Sequence, residues 1–203
     1  MKIIETARAP NPRRVRIFLA EKGVTVASEE HDLMQKAFQT PQFTALNPWQ
    51  RVPLLVLDDG RTIAESVAIC RYFEETHPAP PLFGMGAFGR AEVEMWNRRV
   101  ELGLFGALAH VFRHLHPRMA HLEIPQIAEW GGVNKSKVAL ELSRLDARLA
   151  QSEFLADGGF SIADITMLVA VDFMKPVKLP FPDQHAHIMR WYKEVSSRPS
   201  ASA

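Results

Sequence analysis

Along the first 77 residues, apolar and polar positions group into short blocks whose periods switch repeatedly between two and about 3.6. Residues 2–6 (KIIET) read as a short strand, ended by Pro10 and Pro12. Proline locks φ and removes a backbone donor, yet it is well tolerated in the first turn of a helix. From Arg13 onward, Val15, Phe18 and Leu19 line one face, and Gly23 supplies a C-terminal stop, so a short helix is predicted there. Residues 24–33 carry β-formers with uneven alternation and predict a strand. Residues 53–57 and 61–64 predict two strands joined through Asp58-Asp59-Gly60. Residues 65–76 predict a helix with Val67, Ile69, Cys70 and Phe73 on one face. The order over residues 1–77 is therefore β-α-β-(α)-β-β-α, a small α/β domain.

The pattern changes beyond His77. Residues 77–86 (HPAPPLFGMG) are rich in proline and glycine and read as a linker. No convincing strand follows. Residues 88–115 predict a long helix that ends before Pro117, and residues 125–150 a second with Val138, Leu142, Leu145 and Leu149 at helical spacing. Residues 162–173 and 184–197 complete an all-helical second half. Two domains are expected, an α/β domain over residues 1–80 and an all-α domain over residues 86–203.

Composition narrows the function classes. The chain has 203 residues, of which 47% are hydrophobic, enough for a core in each half. The net charge is +1 and both signs are evenly spread, with 10 basic and 10 acidic side chains in residues 1–80 and 14 and 13 in the rest. Neither half is polybasic, so nucleic acid and anionic membrane are not expected partners. The single cysteine, Cys70, rules out an internal disulfide, a CxxC redox pair and a cysteine-based zinc site. The N-terminus is too short and polar for a signal peptide, and no apolar run reaches the length of a membrane span. A cytoplasmic location is expected.

Three local patterns stand in a meaningful order. Asn47-Pro48-Trp49-Gln50-Arg51-Val52-Pro53 precedes the third strand, Ala64-Glu65-Ser66-Val67-Ala68-Ile69 joins a strand to a helix, and Phe160-Ser161-Ile162-Ala163-Asp164-Ile165 lies in the helical half. Together, over essentially the whole chain, they resemble the cytosolic glutathione transferase family. The resemblance implies a thioredoxin-like N-terminal domain that binds glutathione, followed by an α-helical C-terminal domain carrying the electrophile pocket. It implies a homodimer, glutathione as co-substrate with no resident cofactor, and detoxifying conjugation of the glutathione thiolate to a hydrophobic electrophile. By the same resemblance Val52 precedes a cis-proline, Pro53, and pairs through its backbone with the cysteinyl unit of glutathione like an added strand. Arg51 adjoins it, Trp49 and Gln50 border the glycine end, Ser66 bonds the γ-glutamyl carboxylate and Glu65 its ammonium group. Ser161 and Asp164 match a capping box, a structural device.

One expected part is missing. Many family members place a serine after the first strand, where this chain has Ala9, and Thr6, near the family's tyrosine position, is a poor substitute. A subgroup of fungal and bacterial transferases lacking the Tyr, Ser and Cys activators is similar to this chain. The candidates for thiolate stabilisation are the helix beginning near Pro12, Asn11, the permanent cation Arg13, and His114 as a base. His110, one turn before His114, and Phe112 are candidates for the electrophile pocket. His110 and His114 also have the i, i+4 spacing of a two-histidine metal site, but no acid or cysteine stands beside them, and no metal is expected. Because Ala9 has no donor, a glutathione-binding module with little catalysis is the alternative. A thiol-based reductase would need a cysteine within residues 9–14, and Cys70 reads as a packing residue.

Overall fold

A computed structural model describes residues 1–31 and 37–203, which divide into two compact units, Met1–Pro81 with Pro199–Ala203, and Leu82–Arg198. The first unit holds a four-stranded sheet of order β2-β1-β3-β4, made by β1 (Lys2–Glu5), β2 (Ala27–Glu30), β3 (Leu54–Val56) and β4 (Thr62–Ala64). β1 runs parallel to β2 and antiparallel to β3, and β3 runs antiparallel to β4. The register sets Ile4 opposite Leu54, and Leu54 opposite Ala64. Side chains alternate across a strand, so Ile4 and Leu54 share one face. There they pack with Phe38 and Phe43, the latter on the short helix α2 (Pro41–Leu46). Helices α1 (Pro10–Lys22) and α3 (Ser66–Thr76) pack on each other, and Val15, Phe18, Ile69, Cys70 and Phe73 on them are buried.

The chain departs from the pattern-based expectation in β2. That strand covers only Ala27–Glu30 and is largely exposed, and the expected residues 32 and 33 lie outside the described residues. It is an edge strand, and its Glu29 and Glu30 blunt the edge with charge rather than supplying core. Helix α1 begins at Pro10 rather than near Arg13, because a first-turn proline starts a helix instead of delaying it. It ends at Gly23, whose φ of 64° is the left-handed conformation that favours glycine.

In the second unit the helix expected over residues 88–115 is interrupted. It is built of α4 (Gly86–Arg98), a π-helical segment (Arg99–Phe105) and α5 (Gly106–Leu115). Helices α6 (Ala128–Leu149), α7 (Ile162–Val177) and α8 (Ala186–Ser196) follow. α7 continues past residue 173 and through Pro176, because a proline in the last turn removes only one helical bond before Lys178 ends the helix at φ 60°. α7 is buried along its first ten residues and forms the core of the unit.

The Ser161 capping box is present at the start of α7. Asp164, fully buried, accepts the Ser161 N–H and hydroxyl at 3.0 Å each on Oδ2, and the Leu155 N–H (3.1 Å) and Trp191 Nε1–H (2.9 Å) on Oδ1. One carboxylate thus joins α7, the preceding loop and α8.

The last five residues group with the first unit, although they were expected in the helical half. The reason is local: Arg13 Nη2 donates to the Ala201 carbonyl at 3.0 Å, and the Ser200 hydroxyl donates to Glu21.

Candidate functional site

The sheet register brings three sequence-predicted pieces to one end of the first unit. β3 begins and β4 ends at this end, so Val52-Pro53 adjoins Glu65-Ser66. β1 also ends here, because Ile4 lies opposite Leu54. The turn that follows β1 carries the chain into α1. The peptide bond between Val52 and Pro53 is cis. Among the described residues, neither the Val52 N–H nor its C=O makes a hydrogen bond. An extended segment with an unused donor and acceptor can receive another peptide as an added strand.

The approach to this peptide is fastened by Asn47, a residue to which the sequence reading gave no role. Asn47 is buried; its Nδ2 donates to the Arg51 carbonyl (2.8 Å) and its Oδ1 accepts the Trp49 N–H (3.2 Å). Gln50 sits at φ 53° in the left-handed region and donates through Nε2 to the Thr44 hydroxyl (2.9 Å). These bonds turn the Arg51 and Trp49 side chains outward, both exposed, with Trp49 at 78%. The signal for Asn47 was in the sequence: asparagine before a proline is a turn former whose side chain bonds nearby backbone.

At the β4–α3 junction, Glu65 takes φ 69°, ψ 118°, a conformation an L side chain rarely adopts. Such strain collects at binding sites, where surrounding structure holds it. Glu65 is exposed, and no side chain caps α3, so the first-turn amides keep the partial positive charge that favours a carboxylate. Ser66 is buried, and its hydroxyl accepts a hydrogen bond from Arg14 Nη1 at 3.0 Å. Sequence periodicity did not separate Arg14 from the half-buried Arg13 and Arg16, yet it is fully buried.

At the mouth of α1, Ala9 is the N-cap and offers no side-chain bond. Pro10 and Pro12 have no N–H, the Ala9 N–H bonds the Thr6 carbonyl (3.3 Å), and the Arg13 N–H bonds the Ala9 carbonyl (3.3 Å). The Asn11 N–H is therefore the one backbone donor of this mouth, residues 9–13, without a bond among the described residues. The Asn11 side chain is exposed, while the Arg13 guanidinium bonds Ala201.

The second unit holds the remaining candidates. His114 is buried on α5; its Nδ1 accepts the Ile127 N–H (3.1 Å), and its Nε2 lies 3.7 Å from Glu123 Oε1. With Nδ1 accepting, a neutral ring carries its proton on Nε2, and its basic lone pair is committed to Ile127. His114 therefore ties the loop over residues 117–127 to α5. His110 stacks on His114 (6.0 Å between centroids) and meets Trp130 edge-on (5.6 Å). Its Nδ1 is buried without a hydrogen-bond partner among the described residues, and burial followed by the Arg113 charge lowers its pKa. Phe112 lies between His116 (4.7 Å) and Phe173 (5.2 Å). Cys70 is buried and its thiol is pushed up to about 12 by burial, which leaves it inert as a nucleophile.

Comparison with known proteins gives this arrangement its family. Residues 9–76 match the glutathione S-transferase N-terminal domain and residues 133–199 the glutathione S-transferase C-terminal domain. The chain is 34% identical to glutathione S-transferase 2 of Saccharomyces cerevisiae over 98% of its own length and 87% of that protein. The crystal structure of Gtt2 from the same yeast superposes with a TM-score of 0.94, covering 100% of this chain and 99% of that one at 34% identity. A glutathione S-transferase domain-containing protein of Marinobacter aquaeolei superposes equally well, with a TM-score of 0.94 at 38% identity, covering 98% of this chain and 99% of that one. The chain belongs to the glutathione S-transferase family, with a thioredoxin-like first unit and a helical second one.

Proposed function

We propose that the protein conjugates glutathione to a hydrophobic electrophile. The observation that carries this reading is the convergence at one sheet end of the cis Val52–Pro53 peptide, with its unused amide and carbonyl, and the uncapped start of α3. The cysteinyl unit pairs with the Val52 backbone, Glu65 takes the γ-glutamyl ammonium, and Ser66 with the α3 amides takes the carboxylate. Arg51 and Pro53 border the groove. The sulfur rests at the mouth of α1, where the Asn11 N–H and the helix dipole favour thiolate over thiol. The thiol proton leaves to solvent. The sulfur lone pair then forms a C–S bond to the electrophile, and a leaving group departs with its electron pair, or an added carbanion takes a proton. Arg13 adds positive charge beside that mouth. His110 and Phe112 furnish electrophile-facing surface in the helical unit, and His114 contributes by holding their helix and the loop after it.

Calorimetric titration with glutathione tests the binding step. The wild type is expected to bind, and Glu65→Ala to lose about tenfold in affinity, the worth of one charge-assisted contact, with its melting temperature unchanged or raised. Unchanged affinity in Glu65→Ala would remove Glu65 from the site. A second reading, a glutathione-binding module without catalysis, is favoured by Ala9, which offers the sulfur no hydroxyl.

The protein acts as a pair of identical subunits in the cytoplasm. Phe88, Met95 and Leu102 are exposed on the α4 and π-helical segments, at 80%, 39% and 71%, and supply apolar surface for a second copy. Sedimentation velocity is expected to show a dimer for the wild type and a shift toward monomer for Phe88→Glu. A wild-type monomer at micromolar concentration would contradict the pairing.

A further inference from the structure

Arg14 stands with no exposed surface on α1, the helix that packs against α3. Burying a guanidinium is costly, and apolar side chains of similar volume are often as stable or more so. Its Nη1 donates to the Ser66 hydroxyl at 3.0 Å. A serine hydroxyl has one proton and two lone pairs. Once a lone pair is taken by the guanidinium, the hydroxyl proton must point away from Arg14. A hydroxyl polarised by a cation is also a stronger donor. Ser66 is the first residue of α3, whose opening amides are uncapped.

We propose that Arg14 is a positioning residue for glutathione recognition: through Ser66 it aims a hydroxyl donor at the γ-glutamyl carboxylate. Its task is selection of that carboxylate, separate from activation of the sulfur. The proposal rests on the reading of Ser66 given above.

The test compares glutathione with 4-aminobutyryl-cysteinylglycine, which lacks only the γ-glutamyl α-carboxylate. Both are titrated into wild type, Arg14→Met, Arg14→Lys, Ser66→Ala and the double variant, and steady-state constants are measured in parallel. Wild type is expected to prefer glutathione by at least about thirtyfold, the range of charged hydrogen bonds. Arg14→Met and Ser66→Ala each reduce that preference to within about threefold, the loss falling on KM rather than kcat, and the double variant loses nothing more because the two act as one unit. Arg14→Lys, which keeps the charge and shortens the reach, retains an intermediate preference. A folded Arg14→Met that melts earlier yet keeps the full preference overturns the proposal, since packing alone would do that. If Arg14→Met does not fold, Arg14→Lys decides: intermediate preference supports the proposal and full preference overturns it. Loss of preference in Arg14→Met but not in Ser66→Ala also overturns it, because Ser66 would not be the intermediary. A wild type indifferent to the carboxylate while still binding both ligands defeats the Ser66 reading itself, and the Arg14 proposal with it.

Discussion

Asn11→Pro is expected to raise the pKa of the glutathione thiol in the binary complex by about one unit, which corresponds to roughly 1.4 kcal/mol of lost thiolate stabilisation. Turnover at neutral pH should fall about threefold, because moving the midpoint from about 6.5 to about 7.5 lowers the thiolate fraction at pH 7 from roughly three quarters to one quarter. The substitution removes the backbone hydrogen at position 11 together with the exposed side chain, and Asn11→Ala separates the two. Proline fits the first turn of a helix, and this turn already contains Pro10 and Pro12. Those two prolines leave Asn11 as the donor at the helix mouth, residues 9–13, that is unbonded among the described residues. A hydrogen bond to a charged group is worth about 1.5–3 kcal/mol, so its loss is measurable even if water substitutes in part. Asn11→Ala keeps the N–H and removes the side chain, and its thiol pKa should stay within a few tenths of a unit of wild type. An equal rise in Asn11→Ala would move the activating group to the Asn11 side-chain amide. Glutathione affinity should change little in either variant, because the proposed binding contacts are at Val52 and the start of α3.

Asp164→Asn should destabilise the protein by about 2–4 kcal/mol at neutral pH, read by denaturant unfolding. Four donors converge on this carboxylate. An asparagine turns one acceptor oxygen into a donor, so at least one buried N–H is left unsatisfied, at about 1–3 kcal/mol each. The pH dependence gives a second signature. Burial raises the Asp164 pKa from the ordinary 3.8 to about 6, against the pull of its hydrogen bonds. Between these values the folded chain binds more protons than the unfolded one. This group's contribution to stability therefore grows as pH falls from above 6 toward 4. Asparagine does not titrate, so the gap between wild type and variant should widen over that interval. A constant gap would show that the carboxylate does not titrate there.

Much of the fold was legible because its signals are local. Gly23 stops α1, Asp58-Asp59-Gly60 turns β3 into β4, and Ser161 with Asp164 opens α7, whereas the start of α1 at Pro10 was placed three residues late. The π-helical segment Arg99–Phe105 was not legible, since an extra residue per turn is set by packing against neighbours rather than by periodicity. Val52, Glu65 and Ser66, the proposed glutathione contacts, were singled out by motifs in order along the chain, and the sheet register brings these positions to one end. Arg14 escaped because the sequence Arg13-Arg14 gives no indication of which arginine is buried. The committed lone pair of His114 also lay beyond sequence reading: its partner, Ile127, is thirteen residues away across an irregular loop. That bond ties His114 to the loop after its helix, and the donor proposed for the sulfur is a backbone N–H, which no side-chain motif can reveal.

The measurement that bears most directly on the whole account is a pH titration of the ultraviolet absorbance of the thiolate in the complex of wild-type protein with glutathione. The expected midpoint lies about two units below that of a free cysteine thiol, which is near 8.5, and the wild type is expected to turn over a chromogenic aryl halide. A midpoint at the free value in a saturated complex would contradict it and leave a module that binds glutathione without activating it.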